Sequence, residues 1–520
     1  MHNDGLGSWI HRRRVKSAGR VALVAGDREL TYDVLAERID RLADALEQRG
    51  VRAGDRIAYL GENDPAFLET LFAAGRLGAL FVPLNTRLAA PEIQYALQSS
   101  GATVLVCAAE LGELAVSGMA GTQVEHLVAV EPRRAGVVPP AGAQAYESVV
   151  AAGRPVDRDV PVSRDDPAII LFTSGTTGRP KGALLTHGNL TWNSINVLVD
   201  YDVVSTDVAL MISPMFHVAS LGMGVLPVLL KGGTVVLEQG FEPGRALALI
   251  ARHGATMLSG VPTTFQMLAE HPDWESTDIS SLRKLTCGGS TVPLRTIEAY
   301  ERRGLHFSQG YGMTETAPGA TALMPTHTRA KIGSVGLPHF FTDVRVVDIG
   351  GEPVAPGQVG EIQVKGPNVI PCYWNLPDTG AFTEDGWFRS GDLGYRDKEG
   401  FLYIADRLKD MIISGGENVY PAEVEQVISE LDAVAGVAVI GRPDPKWGEV
   451  PVGVVAVRDG HSVTGEEIRE HLDGRLARYK IPKSYVFVRE LPRTASGKIS
   501  KAVLRRHYST PAVAHDAGAR

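Results

Sequence analysis

Thr173-Ser174-Gly175-Thr176-Thr177-Gly178-Arg179-Pro180-Lys181-Gly182 is the stretch from which the rest of the chain can be read. Its ten residues hold three glycines, four hydroxyl side chains and two cations, and they directly follow the apolar run Ala168-Ile169-Ile170-Leu171-Phe172. An apolar run of that length bounded by glycine reads as a buried strand, so the loop leaves the carboxyl end of a parallel strand, where α/β proteins place ligands. Glycines admit close approach of backbone N–H groups, hydroxyls donate further hydrogen bonds, and Arg179 and Lys181 supply charge. That combination suits a polyphosphate. It is not a Walker loop, G-x-x-x-x-G-K-[ST]: Arg179-Pro180 separate Gly178 from Lys181, and Gly182 stands where Ser or Thr belongs.

At 520 residues the chain exceeds one ordinary core, and a prior of about 150 residues per domain suggests three or four units. Hydrophobic content of 44%, charged content of 22% and a formal net charge of −8 describe a soluble globular protein, and the acidic balance argues against a nucleic-acid partner. Cys107, Cys287 and Cys372 are far apart and without C-x-x-C spacing, so neither a disulfide framework nor a zinc site is implied. A cytoplasmic protein without a secretion signal is expected. Val208 to Leu230 lacks Asp, Glu, Lys and Arg, but Pro214, Pro227, His217 and its glycines read as strand, loop and buried helix rather than a transmembrane segment.

Around the loop the chain alternates strand and helix. Thr31 can cap a helix whose Leu35, Ile39, Leu42 and Leu46 form one apolar stripe. Arg56 to Leu60, Ala79 to Leu84 and Ala102 to Cys107 read as strands, with helices at Pro65 to Leu77 and Pro91 to Gln98. Strands near Val208, Thr234, Thr256, Leu282 and His306 then alternate with helices opening near Pro243, Pro262 and Pro293. The fold class expected is α/β: a large N-terminal domain of two doubly wound subdomains (about 1–165 and 166–330) plus a small β-barrel (331–405) of short strands and Gly/Pro/Asp turns. A charged joint follows at 408–410, and a small mobile α+β C-terminal domain occupies 411–520, the N-terminal domain closing at 407.

Further glycine-rich segments lie at strand ends of this plan. Gln309-Gly310-Tyr311-Gly312-Met313-Thr314-Glu315 offers close backbone approach, a flat ring for a base, a hydroxyl and an oxygen ligand for a metal. Ser390-Gly391-Asp392 places a carboxylate where it could accept both hydroxyls of a ribose, with Arg407 to reinforce it. Cys287-Gly288-Gly289-Ser290, Ser414-Gly415-Gly416 and Pro492-Arg493-Thr494-Ala495-Ser496-Gly497-Lys498 complete the set. Found together and in this order, from about Thr31 to Leu504, these motifs resemble the adenylate-forming superfamily. Within it they look most like acyl-CoA synthetases of the fatty-acid and 4-coumarate ligase type.

The resemblance implies ATP, Mg²⁺ and CoA as cofactor and co-substrates of a two-step reaction. A carboxylate attacks the α-phosphorus of ATP to give an acyl adenylate and pyrophosphate, and a thiol then displaces AMP. It assigns Thr173, Ser174, Gly175, Thr176, Thr177, Gly178 and Lys181 to the phosphates. Gly288, Gly289, Ser290, Gln309, Gly310, Tyr311 and Gly312 are placed around adenine, Thr314 at the α-phosphate, and Glu315 on the metal. Asp392 and Arg407 go to the ribose, and Lys498 bridges carboxylate and α-phosphate as a compact ammonium. Lys409 matches the hinge, and Ser414, Gly415 and Gly416 the loop lining the CoA tunnel.

Pro214-Met215-Phe216-His217 resembles the segment beside the substrate carboxylate. With His217, the residues Val218, Ala219, Met223, Gly288, Gly310 and Met313 would line the acid pocket. Val218, Ala219, Ser220, Gly222, Met223 and Gly224 are small or flexible, which points first to a medium- or long-chain or polycyclic monocarboxylic acid, and second to an aryl acid. An acyl-AMP ligase loading a carrier protein, a luciferase-like oxygenase and a non-catalytic nucleotide-binding module are the other readings, and either a monomer or a homodimer is compatible with the sequence.

Overall fold

The structure, a computed structural model, describes residues 3–157, 160–173, 180–289, 292–376, 379–407, 410–414, 417–493 and 499–508, without the side chains of Arg407, Glu417 and Asn418. Contacts divide the chain into two units, residues 1–344 with 364–388 and residues 345–363 with 389–520.

In the first unit an antiparallel hairpin of β1 (Val21–Ala25) and β2 (Arg28–Thr31) comes first. β3 (Arg56–Leu60), β4 (Leu80–Leu84), β5 (Val104–Ala108), β6 (His126–Val130), β7 (Gln144–Ala145), β8 (Pro167–Thr173) and β9 (Lys181–Thr186) follow. They form one sheet in the order β7-β6-β5-β3-β4-β8-β9, parallel except for its last pair. A second sheet takes β10 (Val208–Met211), β11 (Thr234–Leu237), β12 (Met257–Gly260), β13 (Lys284–Gly288), β14 (Phe307–Gly312), β15 (Gly319–Leu323) and β16 (Ser334–Pro338). Its order is β2-β1-β11-β10-β12-β13-β14-β15-β16, parallel from β1 to β14 and antiparallel at both ends. The two doubly wound layers are therefore present. Their membership is not strictly sequential, because β1, from the span read as the first subdomain, pairs with β11 of the second sheet and carries β2 at its outer edge.

Local chemistry accounts for the elements. The helix Pro65–Leu77 has Pro at its first turn, where no intrahelical N–H is needed, Asp64 capping it by accepting from Ala66 N at 2.7 Å, and Gly78 closing it at φ +67°. Leu35, Ile39, Leu42 and Leu46 of the helix Tyr32–Gln48 are all buried, as the stripe requires. Thr31 does stand at the N-cap, but its hydroxyl donates to the Asp33 carboxylate at 2.5 Å instead of accepting from a helix N–H.

After β9 the helix His187–Asp200 begins, capped by Thr186 and Asn189, each of which bonds the other's backbone N–H. His187 is buried and its Nδ1 accepts from Leu6 N at 3.2 Å, so the neutral ring is the one that fits. Burial lowers its pKa to about 4, the nearby Asp166 carboxylate opposing only in part. The unfolded chain therefore takes up this proton near pH 6.5 and the native chain only near pH 4. Between those values protonation favours unfolding, by about 3 kcal/mol once pH 4 is reached. Comparing denaturation midpoints of the wild type and His187→Asn at pH 7 and pH 4.5 should show the acid-induced loss reduced by most of that amount in the variant; equal losses in both would remove His187 as the cause.

β17 (Asp343–Val347), β18 (Gly360–Lys365), β19 (Phe388–Arg396) and β20 (Leu402–Arg407) follow one another as a ribbon across the span expected for short strands. The first strand within that span, β16, belongs with β15 of the large sheet. In the second unit β21 (Ile412–Ser414), β22 (Glu417–Val419), β23 (Val434–Asp444), β24 (Gly448–Val457) and β25 (Ser484–Val488) make the small sheet, order β22-β21-β24-β23 with β25 on β24. One face is covered by the helices Pro421–Ile428 and Gly465–Leu472, with Val424, Ile428, Ile468 and Leu472 buried. Leu504 of the helix Lys501–Tyr508 packs on the other. No helix among the described residues is long and apolar enough to cross a membrane.

Candidate active site

The β8–β9 ladder runs without interruption to Thr173 opposite Lys181, so the glycine-rich loop is closed at its base by paired strands. The Thr173 hydroxyl donates to the Lys181 carbonyl at 3.4 Å. The chain after the loop thus turns back as a strand, and the helix comes only after Thr186. Ser174, Gly175, Thr176, Thr177, Gly178 and Arg179 lie outside the described residues, as do Ser290, Lys409, Gly415, Gly416 and Lys498.

Three neighbouring parallel strands carry glycine at or near their carboxyl ends: Gly260 closes β12, Gly288 closes β13, and Gly310 of β14 lies in register with Gly288. A Cβ on Gly288 would meet nothing nearer than the Gly310 carbonyl at 3.7 Å, and Gly289 has φ +89°, which disfavours any side chain. Bare backbone is exposed at the carboxyl edge of the sheet, where a planar base can lie against it. Tyr311, half-buried, follows directly. Two neighbours assigned to the nucleotide are held by structure instead. A Cβ on Gly312 would sit 1.8 Å from the Pro318 carbonyl oxygen, so glycine is needed there for close packing. The Gln309 side chain is buried, and its amide oxygen accepts from Val292 N at 3.4 Å.

Thr314 and Glu315 open a 3₁₀ turn, Thr314–Thr316, and both side chains are half-buried. Tyr373 donates its hydroxyl to Glu315 Oε1 at 2.8 Å, and Ile370 N donates to the Glu315 carbonyl at 2.9 Å. Lys181 Nζ lies 5.4 Å from the centroid of the same Tyr373 ring. Burial, and then the Glu315 charge, raises the Tyr373 pKa, so the phenol stays a donor at every physiological pH. Tyr373 therefore joins the cation of the glycine-rich loop to the carboxylate of the turn. The second oxygen of Glu315 accepts no hydrogen bond among the described residues. A hard carboxylate oxygen left open near Lys181, at the base of the glycine-rich loop, fits Mg²⁺, which keeps several waters and takes one or two protein carboxylates plus phosphate oxygens.

Asparagines on one face of the helix His187–Asp200 hold this turn in place. Asn189, Asn193 and Asn196, spaced four and three, are all buried. Asn189 Nδ2 donates to the Pro367 and Val369 carbonyls at 2.9 and 2.8 Å. Asn193 donates to the Gly222 carbonyl at 2.9 Å and accepts from Gly319 N at 3.0 Å. Asn196 donates to the Thr342 hydroxyl at 3.0 Å and accepts from Phe341 N at 2.9 Å. Asn368 continues the net, donating to the Thr316 and Gly319 carbonyls at 2.8 and 2.7 Å. Sequence reading missed all four and Tyr373. The available signal was asparagine at 189, 193 and 196, spaced four and three along one helix face.

His217 sits in the Ser213–His217 segment, which buried Asn63 fixes by accepting from Met215 N at 2.8 Å and donating to the Ser213 carbonyl at 2.9 Å. Ala219, exposed, precedes a π-helical turn, Ser220–Val225, a distortion common at functional sites. Gly222 packs so closely on the Ala317–Pro318 turn that a Cβ would lie 2.6 Å from Pro318 Cδ. Val218 is buried in the main core and Met223 packs against it, so of the expected pocket residues these two face the protein interior. Met313 is half-buried beside the 3₁₀ turn.

In the second unit Asp392 of β19 lies directly opposite Arg407 of β20, which brings together the two residues assigned to the ribose. Asp392 is buried, and its N–H donates to the Ser390 hydroxyl at 3.0 Å. Gly391 at φ +68° makes the turn that aims it. Ser414 ends β21 opposite Glu417. Arg493 and Ile499 form an antiparallel bridge at the two ends of the lysine-bearing segment. The following helix is tied down by Lys501 to Glu425 at 2.8 Å and Arg505 to Asp410 at 2.6 Å.

The sequence pattern of the AMP-binding enzyme family matches residues 10–374, and that of the AMP-binding enzyme C-terminal domain matches residues 423–498. The chain belongs to the AMP-binding enzymes, the adenylate-forming class that its fold and glycine-edged site indicate. It is 50% identical over 509 residues to a feruloyl-CoA synthase of Amycolatopsis sp, covering 98% of this chain and all of that protein. It is 36% identical to a long-chain-fatty-acid–CoA ligase of Mycobacterium tuberculosis, covering 96% and 98%. Its fold matches the ATP-bound MatB of Rhodopseudomonas palustris with a TM-score of 0.89 at 31% identity, covering 98% and 99% of the two chains. Within the family the chain is an acid–thiol ligase, with ATP, CoA and a small-molecule acid as substrates.

Proposed function

We propose that the acid is an aryl-substituted monocarboxylate with a polar ring substituent, of the hydroxycinnamate kind, and that CoA is the physiological acceptor. This reverses the order expected from pocket side-chain size, which put an alkyl or polycyclic acid first. The observation that carries it is the full-length 50% identity to a feruloyl-CoA synthase, against 36% to a long-chain-fatty-acid ligase. A feature of the interior agrees. Tyr201 Oη and His339 Nε2 are buried and without hydrogen-bond partners among the described residues. The first lies 3.6 Å from where a Gly310 side chain would begin, and the second 2.7 Å from where one would begin at Gly319. Buried polar atoms left unpaired cost about 1–3 kcal/mol each. A phenolic hydroxyl or a methoxy oxygen supplies partners that an alkyl chain lacks.

In this reading a carboxylate oxygen attacks the α-phosphorus, pyrophosphate leaves, and the CoA thiol then displaces AMP. Positioning and electrostatics carry the first step. Lys181 and the backbone around Thr173 hold the terminal phosphates, Thr314 the α-phosphate, and Asp392 with Arg407 the ribose. Glu315 would hold Mg²⁺, which when bound neutralises charge developing on the phosphates. The hinge at 408–410 and the mobile domain beyond it belong to the same proposal.

The test is acid-dependent release of AMP and pyrophosphate with CoA present, across hydroxycinnamic acids, unsubstituted cinnamic acid and a medium-chain fatty acid. We expect kcat/KM at least about tenfold higher for the hydroxycinnamic acids, and Tyr201→Phe to erase most of that preference while leaving unsubstituted cinnamic acid unchanged. A wild-type preference for the fatty acid would overturn the aryl reading. Pyrophosphate release without thioester would make a carrier-protein thiol the acceptor.

A further inference from the structure

Tyr373 lies outside every motif that named the family's nucleotide site, yet it contacts two of the groups on which that site depends. Its backbone is stitched to the strand leaving the glycine-rich loop. Tyr373 bridges Ala183, Leu184 N donates to the Cys372 carbonyl at 3.3 Å, and Trp374 N donates to the Gly182 carbonyl at 2.7 Å. Its side chain is buried among the main core residues, so the ring has a single resting place. From there the hydroxyl reaches Glu315 Oε1 at 2.8 Å, and the ring face meets Lys181 Nζ at 5.4 Å from its centroid.

Such an arrangement does more than fill space. Glu315 sits on a short turn and would otherwise sample several rotamers, each costing entropy to reselect when a cation arrives. A charge-assisted hydrogen bond to one oxygen fixes the carboxylate plane and leaves the other oxygen presented. The same ring restrains the Lys181 ammonium by cation–π attraction until a phosphate, a far stronger partner, takes it. Because both contacts start from one residue bridged to β9, the loop's cation and the turn's carboxylate are placed relative to each other before any nucleotide binds.

We propose that Tyr373 is a positioning residue for metal–nucleotide binding, presetting the Glu315 carboxylate and the Lys181 ammonium through its hydroxyl and ring. The inference rests on the reading of Glu315 as the metal-binding carboxylate. It predicts that the phenol oxygen matters for metal-dependent ATP binding and not for binding of ATP alone. Tyr373→Phe retains the ring, the packing and the contact with Lys181, and removes only the hydrogen bond.

The experiment is calorimetric titration of ATP into the purified full-length protein at a series of Mg²⁺ concentrations and in EDTA, for the wild type, Tyr373→Phe and Glu315→Gln. For Tyr373→Phe the Mg²⁺ concentration giving half-maximal enhancement of ATP affinity should rise about tenfold, the loss expected for one hydrogen bond to a charged acceptor. Its affinity in EDTA should stay within about twofold, as should that of Glu315→Gln, while Glu315→Gln loses most of the Mg²⁺ enhancement. If Glu315→Gln loses the enhancement and Tyr373→Phe keeps it at wild-type Mg²⁺ concentrations, Tyr373 has no positioning role. A Tyr373→Phe loss that is equal with and without Mg²⁺ marks a structural effect and overturns the proposal. Should Glu315→Gln retain full enhancement, the metal reading itself fails and takes the inference with it.

Discussion

Replacing Lys498 by alanine is expected to slow formation of the acyl adenylate by about two to three decades and to leave thioester formation from supplied acyl adenylate within about twofold of wild type. The proposed role rests on the Pro492 to Lys498 motif. An ammonium bridging the acid's carboxylate and the α-phosphate contributes most when charge builds on the transferring oxygens, and losing such a contact costs about 3–4 kcal/mol. The flanks suit a lysine that must be delivered accurately. Arg493 and Ile499 are bridged, and the next helix is held by ion pairs from Lys501 and Arg505. The converse is expected of the proposed hinge, where Lys409→Pro should spare adenylation and block thioester formation, since proline cannot follow a large change in φ. Pyrophosphate exchange reads the first half-reaction and CoA-dependent consumption of synthetic acyl adenylate the second. Equal losses in both from Lys498→Ala would contradict its assignment.

Asn193→Leu is expected to destabilise the first unit by about 3–5 kcal/mol. The leucine keeps most of the volume but neither hydrogen bond, so the Gly222 carbonyl and the Gly319 N–H are left buried and unpaired, each at about 1–3 kcal/mol. Both groups sit beside residues of the proposed site: Gly222 in the π-helical turn after His217, and Gly319 just past the Glu315 turn. Loosening them should also lower kcat/KM for every acid, a pattern distinct from the selective effect of Tyr201→Phe. Urea denaturation of the full-length protein gives the stability difference. A loss under about 1 kcal/mol would mean that the two backbone groups find other partners and that Asn193 is not the tie between the segments.

The parts of this protein that local chemistry controls were readable before any coordinates. The helix Pro65–Leu77 begins at a proline and ends before a glycine, and it is found over those residues. The β3 strand likewise matches its reading of Arg56 to Leu60. Periodicity, caps and turn residues act over a few positions, so one sequence carries them in full. The glycine-edged strands were legible for a related reason: close backbone approach leaves only a few residue types possible, and the motif survives as a string. What could not be read was contact between distant segments. Nothing near Val21 announces that β1 will lie beside β11, since an apolar strand fits either sheet and the choice rests on the competing packing of both. Tyr373 looks like one more aromatic residue until β9 is laid beside it, 190 residues earlier in the chain at Ala183. The buried asparagines, polar where the helix pattern asks for apolar groups, become intelligible once the carbonyls and N–H groups of four separate loops are seen to converge on them. Hydrogen-bond partners of this kind are set by three-dimensional proximity, which no local pattern encodes.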